Sequence, residues 1–357
     1  MSFKSIVLNE RPKGYIGETT FRSEKCHLKD YEPKQGQVLV QVTWLSLDPA
    51  MRGYLNDVRS YMPPVQIGET MRGVGLGVVI KKGEGSQFRI GDIVYGGFGW
   101  TEYAVMEDKK LKKITVPPGA EPLDFLNSLG LPGASELSNH SSFFLMPDQG
   151  LKEVCKIKKG ETLVVSGAAG AVGSLVCQLG KRAGAKVIAI AGTDEKCNWL
   201  KNEVGVDETL NYKSPTFARD FKKLGYVDAY FDNVGGEMLD LVLTRLNKGA
   251  RIALCGAISA YNERPKGLKN YLTLISQRAT MQGFIVQALL PFFPSLLHAD
   301  YRFISFDYDS MFDEAVTEIS KGLGDGSLKR KFHVIEGLER APAALPMLFS
   351  GQNNGKL

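Results

Sequence analysis

Between Val164 and Gly173 the chain reads Val-Val-Ser-Gly-Ala-Ala-Gly-Ala-Val-Gly, a run of small residues between a strand signal and a helix signal. Residues 161–166 before it are short and mostly apolar. Residues 171–184 after it carry Val172, Leu175, Val176 and Leu179 at helical spacing. A strand, a glycine turn and a helix in that order can cradle the pyrophosphate of a dinucleotide. Small residues let the backbone approach, and helix N–H groups meet the charge. Gly167, Ala169, Gly170, Ala171, Val172 and Gly173 are therefore candidate cofactor-binding residues. The usual G-x-G-x-x-G has Ala168 at its first position here. The competing reading is a glycine-containing turn in a generic α/β domain.

Strand signals at 186–190, 228–232 and 250–256 alternate with helical ones at 194–204 and 238–246. That alternation predicts an α/β domain with a doubly wound parallel sheet of Rossmann type. The first third differs in texture. Short strand signals at 38–42, 77–80, 92–97 and 103–105 predict a compact β domain that includes Trp100 and Tyr103 in its core. A helical pattern recurs at 310–321, and residues 331–357 are expected to return to the first domain. A length of 357 residues suits two domains. The expected boundaries are 1–128, completed by 327–357, and 129–326.

The end of the second strand of such a sheet selects the cofactor. An NAD enzyme places a carboxylate there for the ribose hydroxyls. This chain has Ala191, Gly192 and Thr193, then Asp194, Glu195 and Lys196. The strand tip carries no acid, and Lys196 can reach back toward a 2′-phosphate as a point charge. NADPH is expected over NADH. Asp194 can at the same time cap the next helix, with Lys196 a solvated helix residue.

Composition excludes several classes. Forty-four basic and 39 acidic residues leave a net charge of +5, dispersed along the chain. That suits an anion site but not a nucleic-acid surface. Cys26, Cys155, Cys177, Cys197 and Cys255 form no C-x-x-C pair and read as free thiols in a reducing, cytoplasmic setting. The start shows no apolar signal region. The apolar stretch 288–297 holds Pro291 and Pro294 and is too short for stable membrane insertion. His27, His140, His298 and His333 stand alone without ligand-type spacing, so no metal is expected.

Motifs along nearly the whole chain carry a resemblance. Asp48-Pro49-Ala50-Met51-Arg52-Gly53 is similar to a D-P-Y-M-R segment. Ser60–Pro64, Met71–Gly75, Ser166–Gly173, Gly192–Lys196, Asn211–Lys213, Phe231–Gly236 and Leu254–Asn262 follow in order. The chain resembles the zinc-independent medium-chain reductases, within them the prostaglandin reductases and NADP-dependent 2-alkenal reductases. The resemblance implies a GroES-like substrate domain, a Rossmann domain, and NADP(H) in the cleft between them. It implies hydride transfer to the β-carbon of an enal or enone, and a homodimer. It also implies that Lys196 and Tyr212 hold the adenosine phosphate and that Asn233 lies along the cofactor. Cys255, Gly256, Ala257, Ile258 and Ser259 would flank the nicotinamide, with Phe284, Ile285 and Val286 at the last sheet edge. Asn353 would close over the cofactor from the C-terminal side.

Conjugate reduction needs a hydrogen-bond donor at the carbonyl oxygen, where charge develops as the enolate forms. A tyrosine hydroxyl, with an ordinary pKa of about 10, is protonated at neutral pH. Tyr261 follows a strand whose carboxyl end faces the expected cleft and is the catalytic candidate. A cofactor ribose hydroxyl could polarise the carbonyl instead, with Tyr261 lining the pocket or simply packing. Tyr61 and Arg52 are candidate substrate residues. The alternatives are loop packing for Tyr61 and, for Arg52, an i,i+4 pair with Asp48.

The chain departs from the family pattern in places. Leu131-Pro132-Gly133-Ala134-Ser135-Glu136-Leu137 replaces an L-P-G-L-T-A-Y segment, and residues at about 134–150 read as an atypical insertion. A second one, 287–305, is strongly apolar. It would serve as a dimer contact or a membrane-touching element, or be a non-native translated segment such as an unspliced intron. Ala50 stands where the family has tyrosine, and Leu357 falls just before the position of the family's closing strand. Two other functions stay open on these grounds: an NADPH-binding protein with impaired catalysis, and a quinone reductase.

Overall fold

The computed structural model describes residues 1–60, 62–116, 118–127, 150–284 and 319–357, and among them a two-stranded and a five-stranded antiparallel sheet lie in the N-terminal half and a six-stranded parallel sheet follows. In the N-terminal half β1 (Ser2–Leu8) pairs antiparallel with β2 (Phe21–His27). Five further strands follow: β3 (Gln37–Leu45), β4 (Gly75–Lys82), β5 (Ile93–Gly96), β6 (Tyr103–Glu107) and β7 (Leu111–Lys113). They form an antiparallel sheet in the order β6-β3-β4-β5-β7. Trp100 is fully buried against Phe21, whereas Tyr103 is only half-buried and meets Phe3 edge-on.

The six-stranded sheet contains β8 (Thr162–Val165), β9 (Lys186–Ala191), β10 (Glu208–Asn211), β11 (Val227–Asp232), β12 (Leu246–Leu254) and β13 (Thr280–Gly283). All pairs are parallel, in the order β10-β9-β8-β11-β12-β13. Renumbered within the sheet this is 3-2-1-4-5-6, the Rossmann order. The central strands read as continuous apolar runs because both faces are covered. Leu163, Val165, Ala189 and Phe231 pack on one side with Val176 and Leu179 of helix α1 (Ala171–Arg182). Val164, Ile188, Ile190 and Tyr230 pack on the other with residues of the helix at 236–243. Alternate residues thus enter opposite cores, as the period of two requires. Each fully buried Val, Leu or Ile contributes about 1.5–3 kcal/mol.

Boundaries differ from the sequence expectation in identifiable ways. The predicted helix at 194–204 is α2 (Asp194–Trp199), continued by a π-turn, Leu200–Val204, that ends at the left-handed Gly205. Thr193 rather than Asp194 caps it, accepting from Lys196 N at 3.2 Å. The helix expected to reach Leu246 spans Gly236–Leu243, because Leu246 opens β12 opposite Val227. Of the helix expected at 310–321, residues 319–324 are helical and the remainder lies outside the described residues. Almost all of the 134–150 insertion and the whole of 287–305 lie outside them too.

The C-terminal segment returns to the N-terminal half. Phe332 bridges to Lys356, and Ala341, Ala344 and Leu345 bury with Met51, Leu55 and Trp100. Among the described residues no helix is long and apolar enough to cross a membrane.

Candidate functional site

The strand order reverses between β8 and β11, so their diverging connections open a crevice at the carboxyl edge of the sheet. The loop leaving β8 runs through residues 166–170 into α1. Gly170 occupies the N-cap and offers no side-chain cap, and the first turn carries no acid. The helical ladder begins with Ser174 N donating to Gly170 O at 3.0 Å, so the N–H groups of Ala171, Val172 and Gly173 precede it. A Cβ at Gly173 would stand 2.3 Å from Gly167 O and 2.7 Å from the Ala168 Cα. Only glycine lets the helix start this close to the loop, as the first turn of a dinucleotide-binding fold requires.

The facing wall is organised by a residue that sequence reasoning missed. Asp232 ends β11 fully buried and accepts from Ser166 Oγ (2.9 Å), Tyr230 OH (2.7 Å), Val234 N (2.9 Å) and Gly235 N (2.9 Å). These bonds offset the desolvation of the carboxylate. Burial, and then the Asp232 charge, push the Tyr230 hydroxyl well above its ordinary pKa. Asn233 adds a second tie, its Nδ2 donating to Ser166 O at 2.7 Å and its backbone N to Ser166 Oγ at 3.0 Å. The signal was present as an acid closing an apolar strand.

A third loop leans on the second. Cys255 N and Gly256 N donate to Asp232 O at 2.9 and 3.1 Å, Ile258 N to Asn233 O at 3.3 Å, and Ser259 Oγ to Val234 O at 2.6 Å. A tight turn through Ile258–Ala260 brings Tyr261 back, and its hydroxyl accepts from Ala257 N at 3.2 Å. Burial, aided by Asp232, pushes the Cys255 thiol up to about 12, which keeps it protonated. Phe284 N donates to Leu254 O, and its ring meets Phe231 edge-on at 5.8 Å. Ile285, Val286 and Tyr61 lie outside the described residues.

At the β9 end of the crevice, the Tyr212 ring lies over Gly192, where a Cβ would be 2.9 Å from Cε1. Lys196 Nζ, half-buried, donates to Gly351 O at 2.7 Å. Its pKa is lowered, first by burial and then by Lys213 and Lys331, with Glu195 opposing. Lys213 Nζ lies 3.5 Å from Ser350 O, and Lys331 Nζ 3.6 Å from Glu195 Oε1. Lys213 and Lys331 stand close enough to Lys196 to repel its charge, and such a cluster favours a multiply charged anion. Sequence reasoning found Lys196 but neither Lys213 nor Lys331. Asn353 donates to Gly355 O at 2.8 Å, and it is the next residue, Asn354, that reaches Glu195 at 2.7 Å.

Arg52 departs from both of its expected roles. It is buried, with Nη2 and Nε on Gly14 O (2.7 and 3.1 Å), Nε also on Asn262 Oδ1 (3.0 Å), and Nη1 on Asn56 Oδ1 (2.6 Å). The guanidinium is spent inside the protein rather than offered to a substrate. Asp48 pairs with Lys356 and Ser46, not with Arg52.

The crevice fits a dinucleotide carrying an additional phosphate. It combines an uncapped helix N-terminus, a close approach that a Cβ would fill, a planar ring over a glycine, and clustered lysines. Among the described residues, no three His, Cys, Asp or Glu side chains converge to hold a metal ion.

Comparison with known proteins agrees with this architecture. Residues 4–114 match a family described as the N-terminal domain of oxidoreductase, and residues 171–299 match one described as zinc-binding dehydrogenase. The chain is 34% identical over 363 residues to the NADP(+)-dependent 2-alkenal reductase of Nicotiana tabacum, covering 100% of this chain and 96% of that protein. It is 34% identical to prostaglandin reductase 1 of Bos taurus, covering 99% and 97%. The crystal structure of CurA from Vibrio vulnificus in complex with NADPH superposes with a TM-score of 0.83 at 35% identity, covering 99% of this chain and 97% of that one.

Proposed function

The chain belongs to the zinc-independent medium-chain reductases, and from that membership we propose that it reduces the carbon–carbon double bond of α,β-unsaturated aldehydes and ketones. The observation that carries the reading is the lysine-flanked crevice at the Gly167–Gly173 turn, opposite the Tyr261 loop. NADPH, when bound there, supplies the hydride that adds to the β-carbon of the substrate.

In this reading the N–H groups of Ala171, Val172 and Gly173 bind the pyrophosphate. Lys196, Lys213 and Lys331 neutralise the 2′-phosphate, and Tyr212 covers the adenosine. The Asp232 network keeps the loops beginning at Ser166, Asn233 and Cys255 in fixed register, so that binding costs little reorganisation. Tyr261 donates a hydrogen bond to the substrate carbonyl oxygen and stabilises the enolate charge as it forms. The high pKa of the Cys255 thiol keeps it from attacking an electrophilic enal.

The test is NADPH oxidation followed by loss of absorbance with enals, enones and quinones in parallel. Turnover of enals and enones with saturated-carbonyl products supports the reading. Cofactor binding without turnover of any of them rejects it, and turnover of quinones alone reassigns it to quinone reduction. The reading includes a homodimer, tested by sedimentation.

A further inference from the structure

The Tyr261 loop is held from two sides. On its own side Ser259 and Ile258 are bonded to the loop after β11. On the other side stands Arg52, which belongs to the N-terminal half and lies 210 residues away in sequence from its acceptor, Asn262. Arg52 is 3% exposed, and its bonded acceptors, Gly14 O, Pro12 O, Asn56 Oδ1 and Asn262 Oδ1, are all neutral oxygens. A buried guanidinium without such acceptors would be strongly disfavoured, so the cation fixes whatever carries them. Three of the four are in the N-terminal half. Asn262 alone comes from the cofactor half, immediately after Tyr261. The strands of contact around it are close: a Cβ at Gly14 would sit 3.6 Å from Asn262 O, and Tyr15 OH donates to Glu263 Oε1 at 2.8 Å.

We propose that Arg52 and Asn262 are positioning residues that tie the Tyr261 loop across the domain seam, so that the orientation of the Tyr261 hydroxyl depends on the N-terminal half. The proposal rests on the role assigned to Tyr261 above. It follows that a fork geometry is needed, because one guanidinium edge serves Gly14 and Asn262 together, which an ammonium cannot reproduce.

The experiment is a double-mutant cycle between Asn262→Ala and Tyr261→Phe, with kcat and KM for an enone, NADPH affinity by fluorescence, and thermal melting for each variant. Asn262→Ala is expected to lower kcat about tenfold, with NADPH affinity within about twofold of the parent. Asn262→Asp, which keeps the Oδ1 acceptor, is expected to recover most of that loss. In the Tyr261→Phe background, Asn262→Ala is expected to change kcat by less than about twofold, because its effect runs through the hydroxyl. If Asn262→Ala lowers kcat equally in both backgrounds, or leaves it unchanged while Tyr261→Phe lowers it, the tie is refuted and the function stands. If Tyr261→Phe itself leaves kcat unchanged, the role of Tyr261 falls and the tie with it. Should Asn262→Ala lower the melting temperature steeply, Arg52→Lys supplies the second variant, judged by the same cycle.

Discussion

Gly173 on the first turn of α1 and Gly167 in the loop below it are packed so closely that a Cβ on Gly173 would lie 2.3 Å from the Gly167 carbonyl oxygen. The listener for phosphate charge, the uncapped helix start, is therefore positioned by a contact that admits a hydrogen and nothing larger. Gly173→Ala is expected to push the helix off the loop. The expected cost is about 1–3 kcal/mol of stability together with a large loss of NADPH affinity, measured by thermal melting and by titration of nicotinamide fluorescence.

Asp232 gathers donors from the loops after β8 and β11. In Asp232→Asn, an amide N–H₂ group must face one or more of those donors. A loss of about 2–4 kcal/mol is expected, with weaker NADPH binding because Ser166 and Asn233 are released together. Chemical denaturation and calorimetric titration measure the two effects.

Acid stability carries a separate signature. Burial raises the Asp207 pKa, but the Lys181 ammonium and the Val187 N–H outweigh it and hold the carboxyl below its ordinary 3.8. A depressed carboxyl pKa stabilises the fold above the unfolded value, and that contribution is lost as pH falls through the folded one. Asp207→Asn is expected to destabilise by about 1–2 kcal/mol at neutral pH. The gap from the parent should close below about pH 4, as read from melts across an acid series.

Tyr261→Phe removes the hydroxyl and with it the acceptor of the Ala257 N–H. If that hydroxyl stabilises the enolate, kcat should fall about 10²-fold while NADPH affinity holds. Steady-state kinetics with a single enone, beside a binding titration, separates the two.

What the sequence made legible was local. The strand, turn and helix around Gly167–Gly173 have periods readable within a few residues, and so does the absence of an acid after Ala191. The unread parts are joined only by folding. Lys331 meets Glu195 across 136 positions, the difference between their numbers, and Asn262 meets Arg52 across 210. The i,i+4 reading of Asp48 and Arg52 failed for a physical reason. Pro49–Leu55 is a 3-10 segment, in which residues four apart do not share a face, and Asp48 is extended. Its charge goes to Lys356, 308 residues on.

The most direct test of the account is a paired titration of NADPH and NADH against the parent protein and Lys196→Glu. The parent is expected to bind NADPH at least about tenfold more tightly than NADH. Lys196→Glu should erase that preference while leaving NADH binding nearly unchanged. Equal affinity of the parent for both cofactors, or no affinity for NADPH at all, would contradict it.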